Sequence, residues 1–241
     1  MIIAPLCSSS SANSTYIGSK SGGVLIDIGC SYKKLRGYLS ACDLEVENIK
    51  AVLITHEHND HVAGLATFMK YNPEVPVYKG GLSNTLNVSD YEITTFNTPH
   101  DTDWSVGYVI KHGDYKIAYA TDLGEVTKEV ENATLGCNLC MIESNYDSDM
   151  LWGGNYHYHL KQRIDSKYGH LSNSDSADYI SRLVQNGATR VILAHLSRQN
   201  NTPIRAYDST ANRLSAAGMK LNRDYTLDVA QIATQGQFIP I

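Results

Sequence analysis

The segment that most constrains the fold is residues 51–64, AVLITHEHNDHVAG. It opens with a short, mainly apolar run that is typical of a strand buried on both faces. Three histidines and an aspartate follow within the next six positions, and residues 62–71 then have the spacing of a helix. A strand that passes into a helix through a cluster of imidazoles indicates a fold whose chemistry lies in loops on a rigid scaffold.

Further strand-like runs alternate with helical patterns. Strands are predicted over residues 2–6, 15–18, 24–29, 51–55, 76–78, 91–96, 139–144, 190–197 and 225–233, with a hairpin over 104–122 that turns at His112–Gly113–Asp114. Helices are predicted over 31–42, 62–71, 126–134 and 172–187, the last with a Ser or Asn N-cap and Gly187 as C-cap. Residues 145–170 are predicted to be mostly loop.

The strands arrive in two sets, and helices that are amphipathic on one side must cover the outer face of each set. We therefore predict an α/β fold of the four-layer αββα sandwich type. A chain of 241 residues fits one large domain better than two small ones, and a single domain over residues 1–241 is expected. In such a fold, histidines and acids recur at strand ends along one edge.

Composition excludes several classes of protein. Hydrophobic residues make up 42% of the chain and charged residues 19%, and no apolar run approaches the roughly 20 residues that cross a bilayer. The start, MIIAPLCSSSS, lacks the features of a secretory signal and is interpreted as a buried first strand, so a soluble, cytoplasmic protein is expected. The net charge of −5 argues against a broad basic surface for nucleic acid, although not against a local one.

The five cysteines are an odd number without a dense spacing, which favours reduced thiols over a disulfide framework. Cys137 and Cys140, in CNLC, lack the second pair that a structural zinc site needs. They are interpreted as buried thiols.

The histidine cluster has the spacing of a metal site. His56 and His58 project to the same side of an extended chain, whereas Asp60 and His61 lie in the first turn of the next helix and leave in another direction. One short segment can therefore serve two metals. A solvated polar loop is the alternative, but three histidines in six positions are improbable in a chain that has nine. Imidazole and carboxylate ligands suit Zn²⁺ or Mn²⁺. Glu57 is either a supporting residue or exposed.

The stretch HEHNDH resembles the HxHxDH signature of the metallo-β-lactamase fold hydrolases, a family with the αββα sandwich. The resemblance implies two divalent metal ions that share a nucleophilic hydroxide. It implies His56, His58 and His100 as ligands of the first metal, Asp60, His61 and His195 as ligands of the second, and Asp122 as the bridge. Asp60 is also counted among the catalytic residues.

Two further resemblances narrow the range of expected substrates. Asp122 stands where the commonest zinc-dependent β-lactamases carry cysteine, which argues against antibiotic hydrolysis. The stretch GHLSNS resembles the GHxS/T histidine of RNase Z and related nucleases, which implies that His170 is a general acid for the departing oxygen. A histidine that supports the metal site or packs in the loop is the alternative for His170.

Several motifs together resemble the YycJ (WalJ) family of bacterial metallo-β-lactamase fold hydrolases: SSSSANSTYI, ATDLGEVT, IESNYD, LKQRI, GHLSN and AHLSRQNNTP. That resemblance implies a phosphodiesterase that acts on nucleic acid, a 5′-to-3′ exonuclease on duplex DNA linked to repair. The first loop, CSSSSANS, lacks the glycines that are common in the family, but Ser10 and Asn13 still offer donors to a phosphate. Ser197, Asn200 and Asn201, after the last ligand, are further candidate phosphate donors.

The region before His170 leaves two interpretations open. Lys161, Arg163 and Lys167 cluster with tyrosines, so the run either contacts phosphates and bases or forms a solvated helix face. His157 and His159 are interpreted as surface histidines rather than as ligands.

Two rival functions are retained. The first is hydrolysis of a small thioester, lactone or cyclic nucleotide, because the fold serves several chemistries. The second is a non-catalytic, metal-stabilised module that binds DNA.

Overall fold

The structure is a computed structural model that describes residues 1–240. Its strands form two mixed sheets. The first sheet has the order β13-β1-β2-β3-β4-β5 and contains β1 (Ile2–Ser9), β2 (Ala12–Ser19), β3 (Gly22–Ile26), β4 (Ile49–Ile54), β5 (Val77–Lys79) and β13 (Ile239–Pro240). The second has the order β12-β11-β10-β9-β8-β7-β6 and contains β6 (Leu86–Val88), β7 (Tyr91–Asn97), β8 (Val106–His112), β9 (Tyr115–Ala120), β10 (Leu139–Glu143), β11 (Arg190–Ala194) and β12 (Thr226–Val229).

The helices lie between these strands in the sequence, and a 3₁₀ turn at Val46–Asn48 precedes β4. They are α1 (Tyr32–Ala41), α2 (Asn59–Val62), α3 (Leu65–Tyr71), α4 (Lys128–Thr134), α5 (Ser148–Gly153), α6 (Tyr158–Ile164), α7 (Asn173–Gln185) and α8 (Pro203–Ala216).

Three apolar clusters separate the layers. Ile17 and Val24 of the first sheet pack with Tyr108 and Met141 of the second, which forms the core between the sheets. A second cluster joins the outer face of the first sheet to α1 and α3. A third joins the outer face of the second sheet to α4, α7 and α8. The order helix, sheet, sheet, helix confirms the predicted four-layer sandwich.

Helix α7 shows how local sequence determines an element here. Ser172 accepts a hydrogen bond from the Asp175 backbone N–H and caps the first turn. The apolar residues at helical spacing are buried: Ala177, Ile180, Leu183 and Val184. The helix ends with Asn186 as C-cap, and Gly187 follows it with a φ of 110°. The C-cap therefore lies one residue before the predicted Gly187, and the glycine supplies the backbone turn that follows it.

The structure departs from the predicted elements in several places, including β6 and β13, which were not predicted. Residues 145–170, predicted to be mostly loop, contain α5 and α6. Helix α8 lies where no element was predicted, although Thr202 caps it and Pro203 occupies its first turn. The last predicted strand, residues 225–233, is confined to Thr226–Val229. The thiols of Cys137 and Cys140 in CNLC are fully buried, as predicted.

Within residues 1–240, no helix has both the length and the apolar character that crossing a bilayer requires.

Candidate metal centre

The predicted ligands converge at one edge of the sandwich. His56 and His58 follow β4, and α2 carries Asp60 and His61. His100 lies in the loop after β7, while Asp122 and His195 follow β9 and β11. Ligand atoms within 4.8 Å of one another form several groups: His56, His58 and His100; Asp60, His61 and His195; His56, His61 and Asp122. The structure thus brings all seven residues together.

Asp122 lies between the two outer groups. Its Oδ1 is 3.7 Å from His100 Nε2 and 3.5 Å from His195 Nδ1, while its Oδ2 is 3.2 Å from His61 Nε2. Each of the two carboxylate oxygens therefore has ligand atoms close to it. A carboxylate in this position is suited to contact two cations at once.

Buried polar atoms at this edge lack hydrogen bonds. Among the described residues, His56 Nε2 has no hydrogen-bond partner. His195 Nε2 likewise has none and only faces Asp60 Oδ2 at 3.5 Å, while Asp122 Oδ2 lies 3.2 Å from His61 Nε2 without forming a hydrogen bond. Leaving buried polar atoms unpaired costs free energy, and bound cations would supply partners for them. The donor set of imidazoles and carboxylates therefore fits divalent metal ions.

The backbone is strained at the same edge. Asp27, Asp122 and His195 have φ values of 60°, 57° and 56°, in the left-handed region that non-glycine residues seldom adopt. Each lies just beyond the end of its strand. Such strain persists only where the surrounding structure imposes it, and it clusters at functional sites.

The loop after β3 fixes the position of α2. Ile28 N–H donates to the His61 carbonyl at 2.8 Å, and Gly64 N–H donates to the Ile28 carbonyl at 2.8 Å. A Cβ on Gly29 would lie 1.7 Å from the Asp60 carbonyl oxygen, so only glycine allows this approach. The helix that carries Asp60 and His61, although only one turn long, is thereby held against the first sheet.

Asp27 orients two of the histidines. Its Oδ2 lies 2.7 Å from His61 Nδ1 and accepts from Thr55 Oγ1 at 2.9 Å, and Thr55 Oγ1 is in turn 3.0 Å from His56 Nδ1. Burial alone lowers the pKa of His61, but the Asp122 and Asp27 carboxylates raise it well above its usual value. These contacts leave Nε2 of both imidazoles to face the ligand cluster.

Glu143, at the end of β10, supports the opposite side of the site. Its Oε2 is 2.7 Å from His195 Nδ1 and 3.0 Å from His170 Nδ1, and it also accepts from the Asp122 N–H at 3.1 Å. Burial raises the pKa of Glu143, but the His170 and His195 imidazoles lower it to about 2. The carboxylate is therefore ionised at neutral pH and ties a proposed ligand to the proposed general acid.

Sequence reasoning missed Asp27 and Glu143 as site residues. Glu143 entered only as part of the motif IESNYD. The available signal was a carboxylate at the end of a strand whose other residues are all apolar or thiol, LCMIE, where a buried charge needs partners. Asp27 has the same signal after the buried strand GGVLI.

The remaining predicted residues are placed as follows. His170 and Ser10 line a cavity of about 290 Å³ together with five of the proposed ligands: His58, Asp60, His100, Asp122 and His195. Asn13 is buried, and its Nδ2 lies 3.3 Å from Asp60 Oδ2 and 3.1 Å from His61 Nε2. It therefore contacts ligands rather than an open surface. Glu57 is exposed.

Ser197 and Asn201 lie outside this cavity. Asn201 Nδ2 donates to the Ser144 carbonyl at 2.9 Å and to Asn173 Oδ1 at 2.8 Å. Ser197 Oγ accepts from the Asn200 N–H at 3.1 Å. Ser197 therefore closes the turn that leads into α8, Asn201 ties that turn to the segment after β10 and to α7, and neither side chain lines the cavity.

Comparison with known proteins agrees with this geometry. Residues 9–87 match the family model described as Metallo-beta-lactamase superfamily, and residues 79–196 match the model described as Beta-lactamase superfamily domain. Among solved structures, the metallo-β-lactamase fold protein YhfI from Bacillus subtilis has a TM-score of 0.73 at 16% identity and covers 97% of each chain. At that identity the similarity shows the fold, and it confirms the predicted class.

Two curated relatives are similar along nearly the whole chain. Exodeoxyribonuclease WalJ of Streptococcus pneumoniae serotype 2 (strain D39 / NCTC 7466) is 30% identical over 243 residues, which cover 91% of this chain and 90% of that protein. Exodeoxyribonuclease YycJ of Bacillus anthracis is 28% identical over 245 residues, with 92% of each chain covered. The chain therefore belongs to the metallo-β-lactamase superfamily and, within it, to the family of the WalJ and YycJ proteins.

Proposed function

We propose that this protein is a metal-dependent phosphodiesterase that degrades nucleic acid from an end, with DNA as the substrate and 5′-to-3′ as the direction. The observation that carries the proposal is the convergence of seven His and Asp side chains at one cavity, five of which line it together with a histidine held by a buried glutamate. The similarity to two proteins named as exodeoxyribonucleases supports the substrate.

Two divalent ions, Zn²⁺ or Mn²⁺, are proposed to occupy the site. His56, His58 and His100 would hold one ion, Asp60, His61 and His195 the other, and Asp122 would contact both. Such ions supply Lewis-acid chemistry, which polarises a phosphodiester and lowers the pKa of water. The fit rests on the unpaired atoms His56 Nε2 and His195 Nε2 and on the absence of thiol ligands from these groups.

Side chains that face the cavity would donate a proton to the departing oxygen and orient the attacking water. His170 Nδ1 is occupied by Glu143, so Nε2 is the atom that would give a proton to the departing oxygen. The His170 ring lies 5.2 Å from the His100 ring and 5.3 Å from the His195 ring, which places it beside the proposed ions. Asp60, whose side chain is 25% exposed, would orient the attacking water from the other side of the cavity.

The surrounding residues bind and orient the substrate. Ser10 offers a hydroxyl at the cavity wall. Tyr156 and Leu160 form an apolar part of the same wall. Because bound cations would offset the acidic lining, a phosphodiester can enter although the protein as a whole has a net charge of −5.

A substrate panel tests this function. With Mn²⁺ or Zn²⁺ present, we expect end-labelled duplex DNA to be shortened progressively and the activity to vanish on chelation. A circular duplex, an aliphatic thioester and a cyclic nucleotide serve as the comparison substrates. Rapid turnover of the thioester or the cyclic nucleotide with intact DNA would favour the small-molecule hydrolase, and tight DNA binding without cleavage would favour the binding module.

Asp27→Asn tests the orientation of His61 separately from the ligands themselves. The substitution keeps the shape of the side chain but weakens its hold on His61 Nδ1, and loss of such a partner typically lowers metal affinity about 10- to 100-fold. Isothermal titration with Zn²⁺ measures the change. Asp43→Asn is the control because Asp43 also has a positive φ, 55°, but lies on the surface away from the cavity. Equal affinity in the Asp27 variant and the wild type would contradict the assigned role.

A further inference from the structure

The cavity at the metal centre has a single guanidinium or ammonium group in its lining, as far as residues 1–240 show. Three aspartates line it, Asp60, Asp101 and Asp122, and the one arginine or lysine is Arg163 on α6. Asp60 and Asp122 belong to the proposed ligand set, whereas Asp101 and Arg163 do not. Arg163 is therefore the fixed positive charge that a polyanionic substrate meets in this cavity besides the ions.

The Arg163 side chain is anchored at one atom. Its Nε donates a hydrogen bond to Asp101 Oδ2. The other oxygen of that carboxylate, Oδ1, lies 3.4 Å from His100 Nε2. Asp101 thus stands between the guanidinium and a proposed ligand, and it holds Arg163 close to the metal centre without letting it enter.

The rest of the guanidinium is available. Within the described chain, the two Nη groups of Arg163 donate no hydrogen bond, and the side chain is 60% exposed. The other two cations of this segment differ. Lys161 is buried and donates to the Trp152 and Gly154 carbonyls at 2.7 Å and 2.8 Å, and Lys167 lies 3.4 Å from Glu125, outside the cavity lining. Of the three, only Arg163 combines an anchored stem with a free pair of donors.

We propose that the Nη groups of Arg163 bind the phosphate next to the one being cleaved, so that the cavity recognises a nucleic-acid strand rather than an isolated phosphodiester. The inference rests on the proposed nuclease function. A planar pair of N–H donors matches phosphate oxygens in a bidentate arrangement. The neighbouring phosphate is assigned because Asp101 separates the guanidinium from the site where the reacting phosphate would lie.

A double substitution, in protein and in substrate, tests the contact. Wild type and Arg163→Gln are compared on DNA with a charged linkage beside the terminal one and on DNA in which that linkage is an uncharged methylphosphonate. Each change alone should raise KM about tenfold, as expected for one charge-assisted hydrogen-bonded contact. Both changes together should raise KM no further than either one, because they remove the same interaction. The KM values of substrates with and without a 5′-phosphate show whether the Nη groups of Arg163 bind that terminal phosphate instead.

Two readouts separate binding from a structural role. The slope of log KM against log salt should become shallower by about 0.9 for duplex DNA when one phosphate contact is lost. Turnover of bis(p-nitrophenyl) phosphate, which has a single phosphate, should stay within about twofold of wild type. Arg213→Gln is the matched control: its Nε donates to Asp178 Oδ1 between α8 and α7, away from the cavity. That variant should leave every parameter unchanged.

The outcomes separate this inference from the function on which it rests. The neighbouring-phosphate contact would be overturned if the effects of Arg163→Gln and the methylphosphonate linkage on KM were additive. It would also be overturned if Arg163→Gln impaired turnover of DNA and of bis(p-nitrophenyl) phosphate equally. Cleavage of DNA by the wild type would still support the nuclease function in both cases. An Arg163→Gln variant that behaves as wild type would also overturn the contact, and the Arg163–Asp101 interaction would then be a surface ion pair without a role in substrate binding. Failure of the wild type to cleave any nucleic acid would overturn the proposed function and this inference together.

Discussion

Asp122→Ala should abolish hydrolysis of both DNA and an activated phosphodiester. Asp122 is the carboxylate that faces both outer ligand groups, and its loss removes a contact from each proposed ion. Metal ions contribute several kcal/mol of transition-state stabilisation, so a fall of at least about 10³-fold is expected. Metal analysis of the purified variant should show the loss directly. In addition, the rise in Tm that added Zn²⁺ gives to the wild type should shrink or disappear.

Folding effects can be separated from metal loss at this position. Asp122 has a φ of 57°, which aspartate and asparagine tolerate better than alanine. Asp122→Asn therefore keeps the backbone preference and the side-chain volume, and it should fold while still binding metal poorly. Asp114→Ala, in the exposed turn at the other end of the same hairpin, is the control and should be fully active. If Asp122→Ala kept two bound ions and full activity, the proposal that Asp122 contacts both ions would be wrong.

His170→Ala should slow DNA cleavage by about 10²- to 10⁴-fold while both metals stay bound, because a general acid contributes that much and is not a ligand. The loss should be small for bis(p-nitrophenyl) phosphate, since a good leaving group departs without protonation. Single-turnover rates on the two substrates and metal analysis of the same preparation measure the contrast. Glu143→Gln should affect both substrates, because Glu143 also holds His195 at 2.7 Å.

The neighbouring histidines provide controls for this result. His157 and His159 are exposed residues of the same segment, and their replacement by alanine should leave both rates unchanged. If His170→Ala lost metal, or slowed the activated diester as much as DNA, His170 would be a supporting residue of the metal centre. An unchanged rate on DNA would remove it from the mechanism.

The proposed ligands can be found from sequence because HEHNDH follows an apolar strand and the family resemblance implies the remaining three, His100, Asp122 and His195. His58 and Asp60 lie in a motif of fixed spacing, and Asp122 and His195 come directly after β9 and β11. Their supporting residues cannot be found in the same way. Glu143 acts on His195, 52 positions away, because β10 and β11 are parallel neighbours in register. Such a pairing depends on strand order, which the periodicity of a single strand does not contain.

The residues after β11 show the converse difference: the sequence indicated a role in the site, whereas the structure gives their side chains other partners. Polar side chains beside a proposed ligand indicate substrate contacts, but Asn201 is 5% exposed and its amide donates to the carbonyls of Ser144 and Asn145, which follow β10. Helices α5 and α6 are missed for a different reason. They have six and seven residues, and the stretch Gly153–Gly154–Asn155, where α5 ends, interrupts any helical pattern.

The left-handed backbone at Asp27, Asp122 and His195 has a consequence for how ions are captured. These residues follow β3, β9 and β11, whose backbone hydrogen bonds to neighbouring strands of the two sheets hold the conformations. The protein therefore resembles a rigid chelator: its donor atoms are arranged when the chain folds, so that ion binding requires little further loss of conformational entropy. Loading should then be fast and accompanied by little change in the circular dichroism spectrum, in contrast to small zinc domains that fold only around their metal.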